Sequence, residues 1–231
     1  MWDDPLTFLP RTQLQEVRRQ ATIYGPDKPP DRLYVVGSGR VKVATIAEDG
    51  TSIVGRVVGA EGLFGEVALL WGRGNPATAV ALERTTLMSW ASEEVELQII
   101  NEPRLGMALM QYFIREVLEL QDRVEAMARY NIPERVLLAL LHFATRLGST
   151  EPDGRLRMSP LTHQTIAEYV GTSREVVTFQ MNHLRLLGVI RYSRRYIAVD
   201  VAAAHASLRE VGSQAQRRTA LRNAQTGGSS T

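Results

Sequence analysis

The 231-residue chain contains no cysteine. That absence excludes a disulfide framework, a thiolate nucleophile, cysteine-bound zinc and a cysteine-ligated iron–sulfur cluster. Histidine is confined: all four (His142, His163, His183 and His205) follow residue 141. The first 141 residues therefore supply neither a histidine metal site nor a histidine general base. Long apolar runs are missing too. Stretches such as Val136–Leu141 fall far short of the roughly 20 residues that cross a bilayer. The start, Met1-Trp2-Asp3-Asp4, is acidic and lacks the basic end and apolar core of a signal peptide. A cytoplasmic protein with no membrane partner and no metal is expected.

Net charge is also scarce, only +2 over the whole chain, but it is unevenly spread. Residues 1–128 hold 13 Lys/Arg against 18 Asp/Glu, a net of −5; residues 129–231 hold 14 against 7, a net of +7. Without Arg217, Arg218 and Arg222 near the C-terminus the second figure is still +4. Such asymmetry points to an anionic partner for the basic half.

Residues 22–91 read as short strands cut by glycine. Leu33-Tyr34-Val35-Val36 and Val41-Lys42-Val43-Ala44 flank a Gly37-Ser38-Gly39 turn, and Glu48-Asp49-Gly50 precedes Ile53-Val54. Val57-Val58, Leu63-Phe64, Ala79-Val80-Ala81 and Leu87-Met88-Ser89-Trp90 follow. This pattern predicts a sandwich or jelly-roll barrel, preceded by a short helix over Pro10–Gln20. Ser92 reads as the N-cap of a helix with Glu93 and Glu94 in its first turn. After Glu102-Pro103 a long helix runs to about Arg129. On it Met110, Phe113, Val117, Leu120, Val124 and Met127 are spaced 3, 4, 3, 4, 3, a heptad seam. The seam fits packing on the helix's own domain or against a second chain.

Pro133 suits the first turn of a further helix ending at Leu147. Gly148–Gly154 reads as loop and Leu156-Arg157-Met158 as a strand. Two helices, about Thr162–Val170 and Ser173–Leu186, precede a hairpin in which Gly188–Tyr192 and Tyr196–Val199 flank Ser193-Arg194-Arg195. A short helix (Val201–Val211) and a disordered tail (212–231) close the chain.

Ala167, Gly171 and Val177 are spaced as a helix-turn-helix requires. A small residue lets the helices cross closely, glycine takes the turn, and a β-branched residue fills the core beneath the second helix. Ser173 can cap that helix, leaving Arg174 and Glu175 in its first turn, where a recognition helix meets base edges. Arginine can bond guanine O6 and N7 together, and glutamate can accept from cytosine N4. Arg191, Arg194 and Arg195 on the hairpin make a winged form that supplies cations to phosphate.

At this point the sequence resembles the cyclic-AMP receptor/fumarate–nitrate regulator (CRP/FNR) superfamily of bacterial transcription factors, over about residues 20–205. The matching pieces occur in order. They are Leu33–Val36 with Gly39-Arg40-Val41, Phe64-Gly65-Glu66-Val67-Ala68-Leu69-Leu70, the long helix after Asn101-Glu102-Pro103, and Thr172-Ser173-Arg174-Glu175-Val176-Val177. The resemblance implies an α+β architecture: an N-terminal jelly-roll β-barrel of the cyclic-nucleotide-binding kind (1–100), a dimerisation helix (101–130) and a C-terminal winged helix-turn-helix (131–211). It also implies a homodimer that reads palindromic double-stranded DNA to regulate transcription, with RNA polymerase as a further partner. The expected DNA contacts are Thr162, His163, Ser173, Arg174, Glu175, Thr178, Phe179, Asn182, Arg191, Arg194 and Arg195. Where the family usually carries a second arginine and then an apolar residue, this chain has Phe179 and Gln180. Phe179 either touches a thymine methyl or turns into the core.

Candidate effector-pocket residues are Gly65, Glu66, Arg73, Ala77, Thr78, Leu120 and Gln121. In cyclic-nucleotide-binding members the glycine–glutamate pair holds the ribose and an arginine ten residues on holds the phosphate. Here Pro76 stands at that place and supplies no N–H. Leu120 and Gln121 replace the adjacent hydroxyl residues that contact the purine. Ordinary cyclic-AMP binding is therefore disfavoured; another small effector, or none, stays open. Glu66 alternatively pairs with Arg73 or caps local backbone.

The main alternative is an effector-binding module acting on a protein partner, but such a module needs no recognition helix. A jelly-roll metalloenzyme needs histidines that the barrel lacks, so no enzymatic activity is expected.

Overall fold

The computed structural model describes residues 4–69 and 77–209. The chain divides into two units, Met1–Asn131 and Ile132–Thr231. Arg73, Pro76 and the 212–231 tail lie outside the described residues.

Among the described residues the first unit holds eight strands: β1 (Gln15–Val17), β2 (Thr22–Tyr24), β3 (Arg32–Ser38), β4 (Val41–Ile46), β5 (Ser52–Val58), β6 (Leu63–Phe64), β7 (Ala77–Ala81) and β8 (Thr85–Ala91). They form two four-stranded antiparallel sheets, ordered β1-β8-β3-β6 and β2-β7-β4-β5, as in a jelly roll. Strand β3 explains its unbroken apolar run. Successive side chains point to opposite faces, and both faces are covered. Tyr34 and Val36 join Ile23, Tyr24, Val41, Val43, Val58, Phe64 and Leu87 in one cluster. Leu33 and Val35 join Leu63, Trp90, Val95, Leu105, Leu109 and Tyr112 in another.

The second cluster is closed by α1 (Ser92–Asn101) and α2 (Pro103–Arg129). Pro103 begins α2 where its missing N–H costs nothing. The buried residues of α2 are Leu105, Ala108, Leu109 and Tyr112, at intervals of 3, 1 and 3 that keep one face inward. The Tyr112 hydroxyl accepts from the Leu63 backbone N–H at 2.9 Å and so ties the helix to β6. Beyond Tyr112 the helix opens. Val117, Leu120, Val124 and Met127 are 42–66% exposed and Met110 is 49% exposed, while Phe113 is half-buried against the second cluster.

The second unit comprises α3 (Ile132–Leu147), β9 (Ser149–Thr150), β10 (Leu156–Met158), α4 (His163–Val170), α5 (Arg174–Leu186), β11 (Ile190–Tyr192) and β12 (Ile197–Val199), with residues 201–209 helical. Its strands form one sheet, β11-β12-β10-β9. Phe143 of α3 packs on Tyr169 of α4 at 4.6 Å between ring centroids. The whole is an α+β chain with a jelly-roll barrel, a long helix and a winged helix-turn-helix.

Several local expectations are corrected. Pro10–Gln20 is not helical: Gln15-Glu16-Val17 pair with Leu87-Thr86-Thr85 as an edge strand, so long-range pairing overrides a helix-friendly composition. Ser92 is the first residue of α1 rather than its cap, because its hydroxyl donates to the Ala68 carbonyl at 2.8 Å. Glu94 instead reaches back to the Ala91 N–H at 2.6 Å. Ile53-Val54 and Val57-Val58 belong to one strand through Gly55, with a register irregularity opposite Val43/Ala44. Gly37 and Ser38 remain in β3, and the turn is taken by Gly39 at φ +84°, where a Cβ would sit 2.6 Å from the Thr85 hydroxyl. Ser149-Thr150, expected in a loop, pair with Arg157 and Leu156 as β9.

Candidate nucleic-acid interface and effector pocket

Helix α4 starts at Thr162, whose side chain accepts from the Thr165 N–H at 3.0 Å, and stops at Gly171 in the left-handed region (φ 76°, ψ 52°). The N–H groups of Gly171 and Thr172 both return to the Ala167 carbonyl. That reversal starts α5 two residues later, with Ser173 accepting from the Val176 N–H at 3.3 Å. Ala167 and Val177 are fully buried where the helices cross. The three residues with helix-turn-helix spacing thus sit where each was needed.

Val177, Gln180, Met181 and Leu184 face inward on α5. The opposite stripe carries Glu175, Phe179, Asn182 and Leu186, since 3.6 residues make a turn. Arg174 and Glu175 are exposed at the helix start. The Glu175 carboxyl lies below its ordinary pKa range because backbone and Ser173 hydrogen bonds favour its anion. Phe179 is 68% exposed, so of its two expected orientations the outward one is realised, and Gln180 takes the inward place.

A hydrogen-bonded chain fixes this surface. Thr178 donates to the Arg174 carbonyl at 2.8 Å, and its oxygen lies 2.8 Å from His163 Nδ1. With the hydroxyl proton so used, Nδ1–H is the donor to Thr178. Burial, then the charge of Arg174, hold the His163 pKa below the ordinary histidine value. The His163 ring meets Tyr192 of the wing edge-on at 6.0 Å, and the Tyr192 hydroxyl donates to Asn182 Oδ1 at 3.0 Å. Arg185 lies over the same tyrosine ring.

On the wing, Ser193 N–H bonds the Tyr196 carbonyl at 2.9 Å and closes the turn. Arg191, Arg194 and Arg195 are exposed. Arg191 pairs with Asp153 at 3.5 Å, whereas Arg194 and Arg195 form no ion pair among the described residues. Two cations thus remain uncompensated on the surface that also carries α5.

The barrel tells a different story. Gly65 has φ +83°, and a Cβ there would lie 2.6 Å from the Arg32 carbonyl and 2.7 Å from the Tyr34 ring. Glu66 finds a partner across the barrel. It is bound by Arg56 of β5, and Arg56 also bonds Glu116 of α2 at 3.2 Å. The sequence offered no hint of this, because the partners lie 10 and 60 residues from Arg56. Burial opposes the guanidinium charge, but the two carboxylates more than offset it and hold Arg56 above its ordinary pKa.

Arg123 of α2 adds a bond to the Gly55 carbonyl at 2.9 Å. Leu120 and Gln121, between Glu116 and Arg123 in the chain, are exposed; Ala77 and Thr78 are half-buried on β7, paired with Thr45 and Ala44. Inside the barrel Phe64 stacks on Tyr24 and Tyr34, and the two tyrosines meet at a tilt, with centroids 5.1–6.1 Å apart. Burial, with the nearby Glu66 charge second, raises the Tyr24 hydroxyl pKa and keeps it neutral.

Residues 14–101 match the cyclic nucleotide-binding domain family, and residues 134–203 match the Crp-like helix-turn-helix domain family. The chain is 30% identical over 184 residues to the global nitrogen regulator of Synechococcus elongatus, covering 79% of this chain and 80% of that one. The chain belongs to the CRP/FNR superfamily of transcription regulators.

Another superfamily member, the CRP-like cAMP-activated global transcriptional regulator of Mycobacterium tuberculosis, is 30% identical over 199 residues, covering 81% of this chain and 85% of that protein. Among solved CRP/FNR structures, FixK2 of Bradyrhizobium japonicum superposes with a TM-score of 0.74 at 22% identity, over 84% of this chain and 96% of that one, a likeness of fold. TTHA1359 of Thermus thermophilus gives 0.67 at 27% identity, over 86% and 98%. This CRP/FNR chain is a DNA-binding transcription regulator with an effector-domain fold. Among the described residues no helix is long and apolar enough to cross a membrane. Besides Arg56, Glu116 and Arg123, sequence reasoning missed Tyr192. Its only signal was an aromatic at the wing beside Arg191.

Proposed function

We propose that the chain acts as a homodimer. Each copy inserts the Glu175–Phe179–Asn182 stripe of α5 into the major groove of one half-site of a palindrome, and Arg194 and Arg195 of the wing lie on phosphate. The carrying observation is that exposed stripe, capped by Ser173 and braced by the His163–Thr178–Arg174 chain. Arg174 and Glu175 supply the base-directed donors and acceptors, and Thr162 and Ser173 bring helix N-termini toward phosphate. The open seam on α2 (Met110, Val117, Leu120, Val124, Met127) supports pairing along that helix, because such a row is stable in water only when covered. A cytoplasmic location and contact with RNA polymerase follow from the same reading, and catalysis has no part in it.

The effector reading is that ordinary cyclic AMP is not the ligand. Glu66, the residue matched to ribose binding, is already engaged by Arg56, and Pro76 stands where the family's phosphate-binding arginine is expected. Selection from random duplexes tests the DNA reading. Enrichment of a palindrome with half-sites about one helical turn, ~34 Å, apart is expected, together with a dimer mass by light scattering. Absence of any palindrome refutes it. Titration with cyclic AMP should produce no binding heat; micromolar binding refutes the effector reading.

A further inference from the structure

We infer that Phe179 is a specificity determinant that reads the 5-methyl group of thymine in each half-site. The inference rests on the DNA reading above and adds the chemical feature that one position of the site must carry.

A single exposed apolar residue is ordinary on a protein surface. Phe179 differs in where it stands. It lies one helical turn after Glu175 and one before Asn182, on the stripe directly opposite the buried residues Val177, Gln180, Met181 and Leu184. It is 68% exposed although the inward position beside it is taken by a glutamine. The helix thus turns an amide inward and a phenyl ring outward, the reverse of what burial favours for an isolated domain. Leu186, 82% exposed, shares the stripe but lies seven residues later, roughly 10 Å further along the axis. Phe179 is the sixth residue of α5, within the N-terminal half that meets bases.

A phenyl ring offers the major groove no hydrogen-bonding group. The apolar feature displayed there by a base pair is the thymine 5-methyl; adenine, guanine and cytosine present acceptors or donors. Laying the ring on those groups strips them of water without replacing the lost bonds. Laying it on a methyl removes apolar surface from water on both sides. Discrimination therefore comes from attraction to thymine and from a penalty against the other bases.

The test uses the full chain and the palindrome it selects. Thymine is expected at a fixed position beside the base pair read by Arg174. Replacing that thymine with deoxyuridine removes the methyl alone and should weaken binding about fourfold per half-site, the ratio that burial of one methyl-sized group provides. Phe179→Ala should bind both duplexes equally, and Phe179→Leu should keep part of the preference. Circular dichroism of the variants controls for folding, which an exposed position leaves unchanged. A selected palindrome without thymine at that position overturns the inference, as does equal binding of thymine and deoxyuridine by the unaltered protein. Those results leave the DNA reading standing, whereas failure to select any palindrome takes both down.

Discussion

Arg56 is bonded to carboxylates from two elements, so its removal offers a quantitative test of how the barrel is held to α2. Arg56→Met keeps a side chain of similar reach but leaves Glu66 and Glu116 without their shared cation. The Arg56 and Glu116 side chains are 19% and 14% exposed. A hydrogen bond between charged groups so shielded contributes about 1.5–3 kcal/mol. Glu66 is 35% exposed, and solvent screening limits its share to at most about 1 kcal/mol. Arg56→Met should therefore destabilise the first unit by about 1.5–4 kcal/mol. In double-mutant cycles the coupling with Glu116→Gln should be about 2 kcal/mol and exceed that with Glu66→Gln. All three tryptophans (Trp2, Trp71 and Trp90) precede residue 131. Trp90 is buried, with its indole N–H on the Pro10 carbonyl at 2.9 Å. Tryptophan emission during urea unfolding thus reports the first unit alone. With a slope of roughly 1–3 kcal/mol per molar urea, the midpoint should fall by on the order of 0.5–4 M. Zero coupling to Glu116, or stronger coupling to Glu66, would refute the reasoning.

Four further outcomes are expected. Arg174→Ala should cost about 1–3 kcal/mol of DNA affinity and relax preference at one base pair; a loss uniform across all sequences would mean that Arg174 touches only phosphate. Replacing Arg194 or Arg195 with alanine should reduce the slope of log affinity against log salt by about 0.9 for each phosphate left without its cation, with base preference unchanged. Gly171→Ala should destabilise the second unit by about 1–2 kcal/mol and Gly171→Asn by less, because a Cβ there meets no neighbour and only the left-handed backbone is penalised; equal costs by ellipticity would exclude backbone strain.

The fourth concerns pH. The folded His163 pKa lies below its unfolded value near 6.5. Its contribution to stability is thus fully present above that value and declines as pH falls toward the folded value. His163→Asn, which keeps a donor near Nδ1, should flatten that decline in thermal melts; an unchanged pH profile would mean that His163 carries none of it.

The helix-turn-helix was legible because its determinants are local. Ala167, Gly171, Ser173 and Val177 act within eleven residues, and the capping hydroxyl, the left-handed turn and the buried crossing all follow from spacing. The long helix was legible for the same reason. Arg56 was invisible because it serves partners on a turn and on a helix, and no periodicity links them. Gln15–Val17 were misread because an edge strand takes its conformation from its neighbour, here Thr85–Leu87, not from its own composition. Phe179 was visible as a departure from the family pattern, but its direction needed the inward Gln180 to be seen. The Arg56 partner of Glu66 was not among the expectations because it is fixed across the fold, ten residues earlier on β5.

The two-sided packing of β3 has a consequence for folding. Its backbone is common property of the barrel interior and the helix-covered layer, with Tyr34 and Val36 committed to one and Leu33 and Val35 to the other. Neither layer can loosen while the strand stays put, and the strand cannot leave without opening both. Barrel, α1 and the first half of α2 should accordingly melt as a single cooperative block. The β3 amides should exchange with solvent only in the rare global opening of that block.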